Sequence, residues 1–246
     1  MFIREVIKMF ESGNVCVVGL RRRGKDMLFG NVIARRNIPY VSNTDYKPKN
    51  KKNRATHHAL EFDKLDCGKN FYRNFITGDV NYYEFPYPEG TDVYIADCGV
   101  YLPAQYCNEL NRDYKHIPTF MALSAQLGAC NVHTNCQNLG RIWDKLREQS
   151  DMYIMCNKIF RPLLKIGIVL QQITIYEKYE SCNNRVPPFK MRLPMFAKRE
   201  SKSLLAIEKA KYELAHGLIK RRWLLYVNKS DYNTTIFKEI LKNGKR

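Results

Sequence analysis

No run of about eighteen apolar residues occurs in this 246-residue chain, so no membrane-spanning helix is expected. The longest candidate, residues 162–175, is too short and contains Lys165, Gln171 and Gln172. Residues 1–12 carry Glu5 and Glu11 and read as a short amphipathic helix, without the shape of a secretion signal. None of the eight cysteines forms a Cys-x-x-Cys pair. Cys130, His133 and Cys136 fall on an expected strand, which puts His133 on the face opposite the two thiols and argues against zinc. Thiols inside apolar runs act as small core residues, and a reducing compartment, the cytoplasm, is the expected setting. No internal repeat is present. Acid is scarce: 24 Asp and Glu stand against 41 Lys and Arg, a net charge of +17.

That excess is uneven. Residues 158–246 hold 20 Lys/Arg and 7 Asp/Glu, while residues 1–157 hold 21 and 17. A basic C-terminal third suggests a polyanionic partner, most often nucleic acid. With 45% hydrophobic residues the chain is globular, and its length suits one α/β core with a small appendage.

The most informative stretch is Gly19-Leu20-Arg21-Arg22-Arg23-Gly24-Lys25-Asp26. It follows the apolar run Val15-Cys16-Val17-Val18 and opens a helical segment over 27–36. Strand, glycine-framed turn, Gly-Lys and helix make the layout of a phosphate-binding loop. Glycines allow close wrapping, and exposed amides at a helix N-terminus favour negative charge. The expected phosphate-binding set is Gly19, Arg23, Gly24, Lys25, Asp26 and Met27, with Lys25 reaching the terminal phosphates. Asp26 stands where Ser or Thr usually holds magnesium, yet a carboxylate is also a hard oxygen ligand. Arg21, Arg22 and Arg23 either crowd the phosphates or extend away.

Downstream, Tyr40-Val41 reads as a short strand, and residues 43–57 as a polar, solvent-exposed loop rich in lysine. Asp92-Val93-Tyr94-Ile95-Ala96-Asp97 is an apolar strand ending in an acid, placed to hold magnesium together with Asp26. Cys98 occupies the place where a glutamate would polarise water, and a thiol is a poor base there. Glu109 and Asp26 are candidate substitutes. Helices are expected over 103–112, 118–129 and 139–149, and strands over 131–137 and 152–156, with edge strands within 163–177. Alternating strands and helices indicate a mainly parallel sheet. A connector over 185–200 precedes a helix from Ser201 to about Val227, with Leu204, Ile207, Leu214 and Leu218 near one face.

A strand ending in Gln137, then the helix-like Leu139-Gly140-Arg141-Ile142-Trp143-Asp144-Lys145-Leu146-Arg147, then Asp151-Met152-Tyr153-Ile154-Met155, resembles the Zot-like (zonular occludens toxin-like) phage ATPases of the FtsK–HerA group. The resemblance spans residues 14–36 and 92–157. It implies an α/β P-loop NTPase core with a mainly parallel sheet flanked by helices; with the connector and the charge distribution, the expected division is a core over 1–184 and a basic helical extension over 185–246. It further implies ATP and Mg2+ as cofactors and a homo-oligomeric ring with nucleotide at subunit boundaries. DNA would be the substrate moved in phage morphogenesis, alongside a capsid or assembly partner. Gly19, Gly24 and Lys25 would be Walker A residues, Asp97 the Walker B acid and Gln137 the nucleotide sensor. Arg147 or Arg141 would resemble the arginine supplied across the ring. Two other readings stay open: a nucleotide-binding adaptor that does not hydrolyse, and a non-enzymatic DNA-binding protein.

Overall fold

The computed structural model of the chain describes residues 3–46, 55–66, 85–101, 116–163, 168–190 and 199–226. Glu109, the helix expected over 103–112 and most of the lysine-rich loop lie outside them. The elements are α1 (Ile3–Ser12), β1 (Val15–Val18), α2 (Lys25–Arg36), β2 (Tyr40–Ser42), β3 (His57–Ala59), β4 (Thr91–Ile95), α3 (Cys98–Tyr101), α4 (Ile117–Leu123), β5 (Ala129–Cys136), α5 (Asp144–Glu148), β6 (Met152–Leu163), β7 (Ile168–Tyr176), α6 (Tyr179–Asn183), α7 (Arg199–His216) and β8 (Ile219–Tyr226).

Eight strands form one sheet in the order β3-β2-β4-β5-β1-β6-β7-β8. Every pairing from β3 to β6 is parallel, and β7 and β8 add antiparallel strands. β1 is buried at all four positions, which is why it reads as a continuous apolar run rather than an alternating one. Parallel strands share one C-terminal edge, so the segments after β1, β4 and β5 emerge together, the usual place for a ligand in such sheets.

Helices cover both faces. On one, α1 presents Ile3, Val6 and Phe10 at helical spacing, and α2 presents Leu28, Phe29, Val32 and Ile33. Phe10 packs 6.1 Å from Phe29 and 4.6 Å from His133. Each such ring contributes about 1.5–3 kcal/mol by leaving water. On the other face, Ile117, Phe120 and Met121 of α4, Leu146 of α5 and Cys182 of α6 close a second core over Cys16, Val93, Ile95 and Cys136. α2 ends where Asn37, at φ 56°, donates its amide to the Ile33 carbonyl, with Arg35 and Arg36 suiting the negative end of the dipole.

Several expectations change. The helix from Ser201 stops at His216, because Gly217 turns at φ 70° and donates to the Glu213 carbonyl at 2.7 Å. Residues 219–226 are the edge strand β8, so the C-terminal extension is only partly helical and part of it belongs to the sheet. Its alternating burial from Ile219 to Tyr226 is a strand period, masked in the sequence by helix-favouring Leu, Lys and Arg. Leu204, Ile207 and Leu214 do not pack inward: they are 63%, 51% and 81% exposed. The segment 139–149 splits into a 3-10 turn (Leu139–Arg141) and the short α5. Tyr46, expected in an exposed loop, is fully buried against Phe29. No described helix is long and apolar enough to cross a membrane.

Candidate nucleotide site

The loop after β1 turns sharply above the sheet. Arg22 and Gly24 both have positive φ, 64° and 84°. Only glycine takes such a conformation without strain, and at Gly24 space is short as well. A Cβ there would lie 2.7 Å from Gln171 Nε2 and 2.9 Å from Ile159 Cδ1. At Gly19 a Cβ would lie 2.9 Å from that of Cys156, and the Gly19 amide is already given to the Cys136 carbonyl. Gly19 therefore seats the loop on β5 and β6 and offers no amide to a ligand. Arg23 likewise spends its amide on the Leu20 carbonyl.

The amides of Lys25, Asp26 and Met27 open α2 and meet no acceptor among the described residues; Gly24 supplies no side-chain cap. Lys25 is 6% exposed, and its ammonium has neither an ion pair nor a hydrogen bond there. A buried cation without a partner is costly. Unpaired amides, a helix dipole and this ammonium together make a place for an anion.

Across β5, Asp97 follows the end of β4 with φ 48°. Asn135, fully buried on β5, links the two acids: its Oδ1 accepts from the Asp97 amide at 2.8 Å, and its Nδ2 donates to Asp26 Oδ1 at 3.2 Å. The Tyr46 hydroxyl approaches the same Asp26 oxygen at 3.4 Å. Asn43 clamps the end of β4, accepting from the Ala96 amide at 2.7 Å and donating to its carbonyl at 2.9 Å. Burial, and then the charge of Asp26, raises the Asp97 carboxyl above its ordinary range, while Lys25 acts the other way. Two mutually repelling carboxylates fit a hard divalent cation, which relieves that repulsion and takes its remaining oxygens from phosphate and water. Asp26 and Asp97 would hold it.

Cys98 lies outside this constellation. It is fully buried, its thiol points to the Ile95 carbonyl at 3.3 Å, and burial pushes it well above its usual pKa. The chain turns at Asp97, so the next side chain faces the core. Gln137, just past β5, is exposed and lines a cavity of about 200 Å³ beside Gly19, Leu20 and Arg23, with Asn157, Lys158 and Arg185 opposite. Arg21 and Arg22 stand outside, exposed.

Arg147 is engaged internally: it pairs with Asp144, donates to the Leu139 carbonyl at 3.1 Å and the Tyr179 hydroxyl at 2.9 Å, and lies 4.6 Å over the Tyr179 ring. It braces the turn after Gln137. Arg141 is exposed beside Gly99 and makes no ion pair among the described residues.

Three residues carry the site without a motif that announces them. Asn135 lies within the Asn135-Cys136-Gln137 segment, and its strand parity is the one available signal. Asn43 has none. Gln171 donates to the carbonyls of Arg23 and Gly24 at 2.9 and 3.0 Å while accepting from the Tyr226 hydroxyl at 2.7 Å. Its signal in the sequence was slight, one of two adjacent glutamines in a mostly apolar strand, and only the structure shows that it is fully buried.

No protein-family model matches the chain, and no curated protein matches it. Among solved structures, similar folds include the N-terminal domain of zonular occludens toxin from Neisseria meningitidis, at 9% identity and TM-score 0.42, covering 92% of this chain and 97% of that one. They also include the genome packaging NTPase B204 of Sulfolobus turreted icosahedral virus 2 with ATP-gammaS, at 14% identity and TM-score 0.37, covering 87% and 91%. A third is EssC (ATPases 2 and 3) from Geobacillus thermodenitrificans, at 13% identity and TM-score 0.44, covering 96% of this chain and 43% of that one. At these identities and TM-scores the likeness assigns neither an activity to this chain nor a role to any residue.

Proposed function

We propose that the chain is a P-loop ATPase whose turnover moves DNA during assembly of a phage or mobile-element particle. Its most specific form is a genome-packaging motor working as a homo-oligomeric ring. The observation that carries the nucleotide reading is Lys25, a buried ammonium with no ion pair or hydrogen bond among the described residues, at the mouth of a loop whose amides are unpaired there too. Lys25 then stabilises charge on the transferred phosphoryl group, and the amides of Lys25, Asp26 and Met27 hold the phosphates. Asp26 and Asp97 would hold magnesium, which would supply positive charge against the phosphates. Asn135 holds the Asp26 carboxylate and the backbone amide of Asp97. Gln137 faces the loop from β5 and reports nucleotide state. Arg141, without an ion pair among the described residues, is the arginine offered to a neighbour, while Arg147 positions the turn that carries it.

The DNA part of the reading rests on the net charge of +17 and its C-terminal weight, which favours phosphate contacts over base reading. The test is phosphate release from ATP and Mg2+, with and without single- and double-stranded DNA, for wild type, Lys25→Ala and Arg141→Ala. Turnover that Lys25→Ala abolishes supports the reading, whereas wild type without turnover under every condition overturns it. A nucleotide-binding adaptor that does not hydrolyse is the second reading, favoured by one observation: Cys98 replaces the expected base and faces the core. Magnesium-dependent ATP binding without phosphate release selects it.

A further inference from the structure

Among the described residues, the antiparallel end of the sheet leaves part of one face open, beyond the buried Thr174 and Tyr176. β6 bulges between Cys156 and Lys158, and from there Lys158 pairs with Gln172 and Phe160 with Leu170. Across β7, Gln172 pairs with Trp223, Leu170 with Leu225 and Thr174 with Arg221. Strand parity therefore puts Lys158, Phe160, Trp223, Leu225 and Arg221 on one face. Gln171, Leu224 and Tyr226 point the other way, into the core under α2. Phe160, Trp223 and Leu225 are 46%, 39% and 52% exposed, and the two rings stand 5.2 Å apart at 55°. Large apolar side chains gathered on an open face mark a contact surface. Lys158 and Arg221 flank the rings, and the described strand positions of this face carry no Asp or Glu.

We infer that this face binds single-stranded DNA, with bases stacked on Phe160 and Trp223 and phosphates held by Lys158 and Arg221. The charge of the face selects a polyanion. The rings select its form: a duplex keeps its base faces stacked inside, whereas a single strand can lay them on an aromatic platform. Lys158 also lines the cavity beside the phosphate loop, so strand and nucleotide would share a residue. The inference deepens the proposed DNA-handling role and rests on it, but the binding itself needs no ATP.

The test uses the full chain without nucleotide. A single-stranded oligonucleotide of about 16 residues is titrated while tryptophan fluorescence is read. Trp143 is 9% exposed, so quenching reports on Trp223. Quenching is expected, with weaker binding of a blunt duplex of equal length. Phe160→Ala and Trp223→Ala, the latter read by anisotropy of a labelled oligonucleotide, should each weaken binding about 5- to 150-fold. Lys158→Gln and Arg221→Gln should each flatten the plot of log K against log salt by about 0.7. Circular dichroism and sedimentation accompany every variant. Preference for duplex, absence of quenching, or well-folded alanine variants that bind as wild type overturn the inference. Dissociation of an oligomer by Phe160→Ala or Trp223→Ala would make the face a subunit interface and overturn it too. DNA binding without ATP turnover sinks only the motor reading, and turnover without this binding sinks only the platform.

Discussion

Cys98→Glu restores the glutamate that follows the acid in the resembled ATPases, so from sequence it should rescue or raise turnover. The structure gives the opposite expectation. Cys98 is fully buried, in a core cluster with Cys16, Cys136, Val18 and Ile95. Glutamate adds three heavy atoms to the side chain at this position, and overpacking costs about 1–3 kcal/mol. The new carboxyl also loses its water; even protonated, an unpaired polar group costs about 1–3 kcal/mol more. The sum, about 2–6 kcal/mol, is a large part of the ~5–15 kcal/mol that holds a domain together. For a chain of this size it corresponds to a fall in Tm of about 4–24 °C. Differential scanning calorimetry or urea titration of wild type, Cys98→Ser and Cys98→Glu measures it, with phosphate release recorded in parallel. Cys98→Ser should stay close to wild type in both. A Cys98→Glu protein of wild-type stability and raised turnover would show that this side chain faces the nucleotide, and the reasoning would be refuted.

Asn135→Leu removes the amide that holds Asp97 and Asp26. Stability should drop by about 1–3 kcal/mol through the orphaned Asp97 amide, and the Mg2+ concentration for half-maximal nucleotide binding should rise; an unchanged Mg2+ titration counts against the bridge. Gly24→Ala forces a β-carbon into a left-handed position against Gln171, so about 1–2 kcal/mol is lost from the backbone alone and ATP affinity falls; wild-type denaturation and affinity would contradict the crowding. Because Asp97 holds its proton to higher pH than an ordinary carboxyl, Mg2+-dependent ATP binding should fail, as pH drops, above the usual carboxylate pKa of 3.8. Asp26→Asn should move the residual acid limb lower, since it removes one of the raising charges. For stability the sign is the reverse of a salt-bridged acid: Asp92, raised by burial to about 6 despite Arg36, is more readily protonated when folded, so its contribution declines as pH rises from 3.8 to about 6 and is level above. Urea titrations of wild type and Asp92→Asn should diverge through that window and run parallel above it.

The strand–turn–helix layout around residues 19–26 was readable because its chemistry is local. Gly19 to Asp26 is one turn whose glycines, lysine and following helix are adjacent in sequence, and short-range sterics demand those residue types. The parallel core was readable for the same reason: β1 buried on both faces must be apolar throughout. β8 was misread because an edge strand of Lys, Arg and Leu has no intrinsic preference strong enough to overrule helix periodicity; pairing with β7 decides it.

The sequence by itself determined that a strand, a glycine-framed turn with Gly-Lys and a helix follow one another, and that positive charge gathers toward the C-terminus, since composition and neighbouring residues suffice for both. Only the tertiary structure decided which distant side chains complete the site. The insertion of β5 between β1 and β4 is what sets Asn135 between Asp26 and Asp97. The left-handed turn at Asp97 accompanies the turning of Cys98 into the core, and β7 and β8 bring Gln171 under the loop and stand Phe160 beside Trp223. Those relations depend on strand order and register, which are long-range properties that no window of sequence contains.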